Sequence, residues 1–143
     1  MPSAADALMT EEEFQAALVG RLRIAGWSVY HPYDSRRSQQ GYPDLTVWAA
    51  NRGVWWAELK REPVRETVRD LNGVIIARTR KPQIAAAQLQ TLRDLPTGRA
   101  VILVPSDMRV LETLAAQDDW DRVLKVLARR LDDPGACGLR IGR

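Results

Sequence analysis

Apolar residues recur along this chain with two periods, and the changes of period divide it into elements. Phe14, Ala17, Leu18, Leu22 and Ala25 keep helical spacing. Thr10 and Glu13 ahead of them form a Thr-x-x-Glu capping box, and Gly26 suits the position after a helix end. A helix is therefore predicted from about residue 10 to 25. Trp27 to Tyr30 reads as a short strand, and the Pro- and polar-rich stretch His31 to Gln40 as a loop. Pro43 introduces a strand over Asp44 to Ala49, Asn51-Arg52-Gly53 a turn, and Val54 to Lys60 a second strand, so the two make a hairpin. Asn72-Gly73 can turn a smaller hairpin ending in Val74-Ile75-Ile76.

Pro82 to Leu95 reads as a helix with the proline in its first turn, and Arg99 to Val104 as a buried strand stopped by Pro105. Two helices follow, at about 107–117 and 119–131. Residues 132–143 read as a mobile tail, as do 1–9. The sum is one α/β domain over 1–131, a mixed sheet flanked by helices, with extra helices at the C-terminal end.

Charge adds a second layer. Residues 1–20 hold four acids and no Lys or Arg, whereas 60–82 hold seven bases against three acids. The basic segment suits a polyanion or a solvated surface. No run of eighteen apolar residues is present, so no membrane span is expected, and the start of the chain lacks the basic flank of a secretory signal. One cysteine, Cys137, and one histidine, His31, exclude a disulfide framework or a Cys/His-rich metal site within one chain and suit a reducing cytoplasm.

The hairpin singles out three charged residues. With the turn centred near Asn51, Asp44 stands opposite Glu58, and opposed residues share a face. Glu58 and Lys60, two apart, share that face as well. The other face carries Leu45, Val47, Trp55, Ala57 and Leu59 and reads as core, while Trp48 and Trp56 lie on the face of the charges. Two carboxylates aimed at one point resist ionisation unless a cation lies between them, and all-oxygen ligands favour Mg²⁺ or Mn²⁺ over zinc. The plainer alternative is Asp44 capping a strand and Glu58 pairing with Lys60 on a wet face.

Gly41-Tyr42-Pro43-Asp44-Leu45 followed by Glu58-Leu59-Lys60 resembles the signature of the PD-(D/E)XK nuclease superfamily. The closer likeness is to small stand-alone VRR-NUC-type nucleases, Holliday-junction-resolvase-like and many of them phage-encoded. It extends to Glu11 and Gln15, Gly26-Trp27, Tyr30-His31, Ser35-Arg36-Arg37-Ser38, Gln88 and Pro105-Ser106-Asp107. The resemblance implies an α-β-β-β-α-β core and a divalent-metal-dependent DNA endonuclease selective for branched DNA, a junction or a flap, acting as a homodimer. It implies Asp44, Glu58 and the backbone carbonyl of Leu59 as ligands of one or two Mg²⁺ or Mn²⁺ ions, and Lys60 as the catalytic lysine. Glu11 would complete the acidic site directly or through water, with Glu12 and Glu13 as alternatives. Gln88 matches the family's glutamine, with Gln83 as the alternative.

Ser35, Arg36 and Arg37, in the loop leading to Asp44, are candidate phosphate contacts, as are Arg61, Arg65, Arg78, Arg80 and Lys81. Residues 61–81 are longer than the family pattern and read as a flexible basic insertion at the rim of the site. The alternative is a solvated helix in which Glu62, Glu66 and Asp70 pair with the arginines. Thr91 stands where the family usually has an aromatic residue. A non-catalytic nucleic-acid-binding module on the same fold and a restriction-type nuclease are the competing functions.

Overall fold

A computed structural model describes residues 3–32, 41–115 and 118–143. Two capping boxes open the chain: Ser3 with Asp6 starts α1 (Ala4–Leu8), and Thr10 with Glu13 starts α2 (Glu11–Ile24). In the second, Thr10 and Glu13 satisfy each other's backbone N–H at 3.1 Å. β1 (Ser28–Tyr30), β2 (Leu45–Ala49) and β3 (Gly53–Leu59) follow as an antiparallel meander. Leu45 opposes Ala57 and Trp48 opposes Val54, which is the register the turn position predicts. β7 (Ala100–Leu103) then pairs parallel to β3, giving a mixed four-stranded sheet ordered β1-β2-β3-β7.

Alternation splits β7 between two cores. Trp55, Ala57 and Leu59 of β3 join Val101 and Leu103 of β7 in a large core with α2, α4 (Asp107–Ala115) and α5 (Trp120–Ala128). At its centre Trp27, Trp55 and Trp120 pack with ring centroids 5.2–6.2 Å apart. On the opposite face Ala100 and Ile102 pack with Ile84, Leu89, Leu92, Leu131 and Leu139 in a smaller core under α3 (Ala86–Asp94).

Four expectations are corrected. The helix expected over Pro82 to Leu95 starts at Ala86, because Gln83–Ala85 form β6, whose buried Ile84 pairs with Ile141 of β8 (Arg140–Gly142). The tail is accordingly a structural element: Asp133 caps a 3₁₀ turn at Pro134–Cys137, and Leu139 is buried. The helix expected to run to residue 131 ends at Ala128 and continues as a 3₁₀ turn over Arg129–Leu131. Within the N-terminal stretch read as mobile, α1 buries Ala7 against Val64 and Ala77.

Residues 61–81 form a hairpin and not a helix. An isolated bridge between Val64 and Arg80 closes its base, and β4 (Val68–Arg69) pairs with β5 (Ile75–Ala77) across a turn containing Asn72-Gly73. Gly73 has φ 80°, a backbone region that favours glycine. Of the acids expected to pair along a helix, Glu62 is buried and instead accepts the Ser106 backbone N–H at 3.1 Å.

Candidate active site

The site lies where β3 ends, on the face turned toward α3. Asp44 just precedes β2, and its Oδ2 accepts the backbone N–H of Leu59 at 2.8 Å. A strand residue directs its N–H and C=O toward the same neighbour, so the Leu59 carbonyl faces Asp44 as well. Glu58 is 2% exposed. Its Oε1 accepts Gln88 Nε2 at 2.9 Å and lies 3.8 Å from Lys60 Nζ. Its Oε2 is buried and receives no N–H or O–H from the described residues, while the Glu58 and Asp44 carboxyls are close enough to share a proton.

Lys60 is also buried and donates to Gln88 Oε1 at 3.4 Å. The same oxygen takes the Ala85 backbone N–H at 3.1 Å, which fixes Gln88 where β6 becomes α3. Gln88 therefore bridges the acid and the lysine, whereas the alternative, Gln83, is exposed on β6.

The three acids that open α2 separate by position. Glu13 is engaged in the capping box, and the hydrogen bonds from Thr10 hold its carboxyl below the usual range. Glu12 is exposed. Glu11 is exposed too, but its carboxyl is raised by desolvation, and it feels Lys60, Asp44 and Arg61, so it is within electrostatic reach of the cluster. Gln15, one turn on, lies 3.4 Å from His31 Nδ1.

Electrostatics make the centre of the cluster unusual. Burial pushes the Glu58 carboxyl up, the neighbouring Asp44 pushes it further, Lys60 opposes both, and the result is about 9. At neutral pH the metal-free pair thus retains a proton. That proton, hydrogen-bonding Glu58 to Asp44, is one way to settle a buried carboxylate pair, and a cation between them is the other.

A divalent metal would meet the buried Glu58 Oε2 and the oxygen donors around it. Among the described residues no three His, Cys, Asp or Glu side chains form a ready-made metal cage. Mg²⁺ does not need one, since it binds through one or two carboxylates and keeps several waters. The Asp44 carboxylate, Glu58 Oε2 and the Leu59 carbonyl are hard oxygen donors of that kind, and they fit the ion.

The basic candidates divide. Arg80 is half-buried and donates to the carbonyls of Glu62 and Ala7, and Arg61 donates to those of Met9 and Leu8, so both tie the hairpin base to α1. These bonds give both guanidiniums a role in holding the hairpin base, beside the phosphate contacts expected of them. Arg65, Arg78 and Lys81 are exposed. Ser35, Arg36 and Arg37 lie outside the described residues.

Spacing did not reveal the buried ion pair of Asp107 with Arg130, at 2.6 and 2.7 Å. Its one sequence signal is Pro105-Ser106-Asp107 at a strand end. No protein-family model, curated protein or solved structure matches the chain. What the site can do is read from its own geometry.

Proposed function

We propose that this protein is a divalent-metal-dependent endonuclease of PD-(D/E)XK type that hydrolyses phosphodiester bonds in DNA, acting on branched substrates and working as a homodimer. The observation that carries the reading is the buried Glu58 Oε2, set beside Asp44 and within one hydrogen-bonded network with Lys60 and Gln88. A binding module has no use for acids turned toward phosphate.

Asp44, Glu58 and the Leu59 carbonyl would hold Mg²⁺ or Mn²⁺, with Glu11 at the periphery. When bound, the ion supplies Lewis-acid stabilisation of the charge that develops on the phosphate. Lys60 would hold a non-bridging phosphate oxygen, and its ammonium would stabilise the same charge. Gln88 orients both Glu58 and Lys60, so neither side chain has to reorganise as the reaction proceeds. The protein contributes placement and charge, which is most of what phosphoryl transfer asks of it.

No helix among the described residues is long and apolar enough to cross a membrane. The dimer and the preference for branches rest on the family resemblance.

The test is cleavage of matched linear, single-stranded, flap and four-way DNA with Mg²⁺ and with EDTA. Cutting is expected only with the metal and preferentially at branches, and Glu58→Ala is expected to abolish it while the fold persists. A Glu58→Ala protein that cuts at the wild-type rate contradicts the assignment.

A further inference from the structure

The hairpin at 61–81 is rooted at both ends in the site. It leaves β3 immediately after Lys60 and returns through β6 to Gln88. Its base is tied down by the Val64–Arg80 bridge, by Arg80 on the Glu62 and Ala7 carbonyls, and by the small core of Ala7, Val64 and Ala77. From that bridge to Leu71 at the tip is seven residues, with bends at Arg65 and Glu66 and a bulge at Val68/Arg69.

The tip is equally well built. Asp70 Oδ1 accepts the backbone N–H of both Asn72 and Val74 at 2.9 Å. Asp70 N–H donates to the Val74 carbonyl at 2.9 Å, and Arg69 donates to the Gly73 carbonyl at 2.8 Å. This turn holds up an apolar side chain: Leu71 is fully exposed (106%) and Val74 beside it is 58% exposed. The flanks carry the exposed cations Arg65, Arg69, Arg78 and Lys81 against the exposed acids Glu66 and Asp70.

An ordered turn that presents a leucine to solvent gains nothing from it within the monomer. An apolar tip on a cationic stem has the chemistry of a wedge entering a base stack while its stem follows phosphates. We propose that the 61–81 hairpin is a strand-separating finger, in which Leu71 inserts between base pairs at a DNA branch point and selects branched over continuous duplex. The inference rests on DNA being the substrate and assigns the branch preference to one residue. At a branch, stacking is already broken, so insertion costs less there than within a continuous duplex.

The test uses the full-length chain in EDTA, with flap and four-way DNA carrying 2-aminopurine at the branch and a linear duplex carrying it internally. Wild-type protein is expected to raise the branch-point fluorescence several-fold by unstacking the base. Leu71→Ala, a change at an exposed turn, is expected to lose the rise and to bind branched DNA about tenfold more weakly. Its affinity for linear duplex and the salt dependence of binding should stay the same, and Leu71→Phe should keep the rise. Replacing Arg65, Arg78 and Lys81 with Ala should instead flatten the slope of log K against log salt by about 0.9 per lost contact.

Wild-type fluorescence and branch preference in Leu71→Ala would overturn the finger, while metal-dependent cutting by the same protein would leave the nuclease reading standing. Leu71-dependent binding to phosphatidylserine vesicles with no binding to any DNA would overturn both.

Discussion

Glu58 near the end of β3 and Asp107 at the start of α4, just past the parallel strand β7, are both buried carboxylates, and the fold treats them in opposite ways. Asp107 receives both terminal nitrogens of Arg130, at 2.6 and 2.7 Å, and the Val104 backbone N–H at 2.7 Å. Arg130 spends a further bond on the Ile102 carbonyl at 3.0 Å. Every oxygen there has a partner, and the pair locks β7 to the turn after α5. Glu58 has a glutamine amide at 2.9 Å, a lysine at 3.8 Å and, on its other oxygen, no cation and no N–H, only a second carboxylate with which to share a proton. A fold that wanted only stability would have treated Glu58 as it treats Asp107. The difference marks the Asp107 pair as a brace and makes Glu58 the centre of the proposed site.

Lys60→Ala and Arg130→Ala break this comparison most sharply. Lys60→Ala is expected to cut DNA slower by about 10³-fold, the scale of losing one well-placed charge-stabilising group, with the unfolding midpoint little changed. Arg130→Ala strands Asp107 without its partner and is expected to cost about 3–5 kcal/mol of stability in urea titration. Cutting per folded molecule should persist in it. Loss of stability in the first and of cutting in the second would reverse the two roles.

A subtler contrast is in pH. The folded Glu58 carboxyl titrates near 9 against an ordinary value of 4.5, so the metal-free fold favours the protonated form. The associated stability is full below pH 4.5 and is lost as pH rises toward 9. In EDTA the thermal midpoint of the wild type should therefore fall more between pH 6 and 9 than that of Glu58→Gln, which has no proton to lose there. Added Mg²⁺ should stabilise the wild type increasingly over the same range, because the ligands must be deprotonated to bind it. Parallel pH profiles for the two proteins in EDTA would mean that Glu58 is not held protonated.

Much of this was legible in the sequence, and what was legible was local. The capping box at Thr10 and Glu13 and the β2–β3 register follow from short-range rules, and the register puts Asp44, Glu58 and Lys60 on one face. Helical periodicity placed Gln88 on the helix after the lysine strand, which is where α3 carries it.

The misreadings were of long-range pairing. Gln83–Ala85 have helical neighbours on one side, but they are a strand because β8, more than fifty residues later in the chain, pairs with them. Arg80 and Arg61 look like surface cations, yet each finds carbonyls near α1 more than fifty residues away. Glu62 looks like a solvated acid, and it is buried because the turn at Ser106 brings a backbone N–H to it. No periodicity within a window of eighteen residues contains these partners.

The central claim, that the buried Glu58 oxygen is a place for a divalent ion, is tested most directly by titrating Mn²⁺ into the EDTA-stripped and desalted full-length protein at pH 8, reading bound ion by electron paramagnetic resonance. Wild-type protein is predicted to take up Mn²⁺, Mg²⁺ to compete for the same site, and both Glu58→Gln and Asp44→Asn to lose it while keeping the wild-type circular dichroism spectrum. Equal Mn²⁺ binding by wild type and Glu58→Gln would contradict the claim.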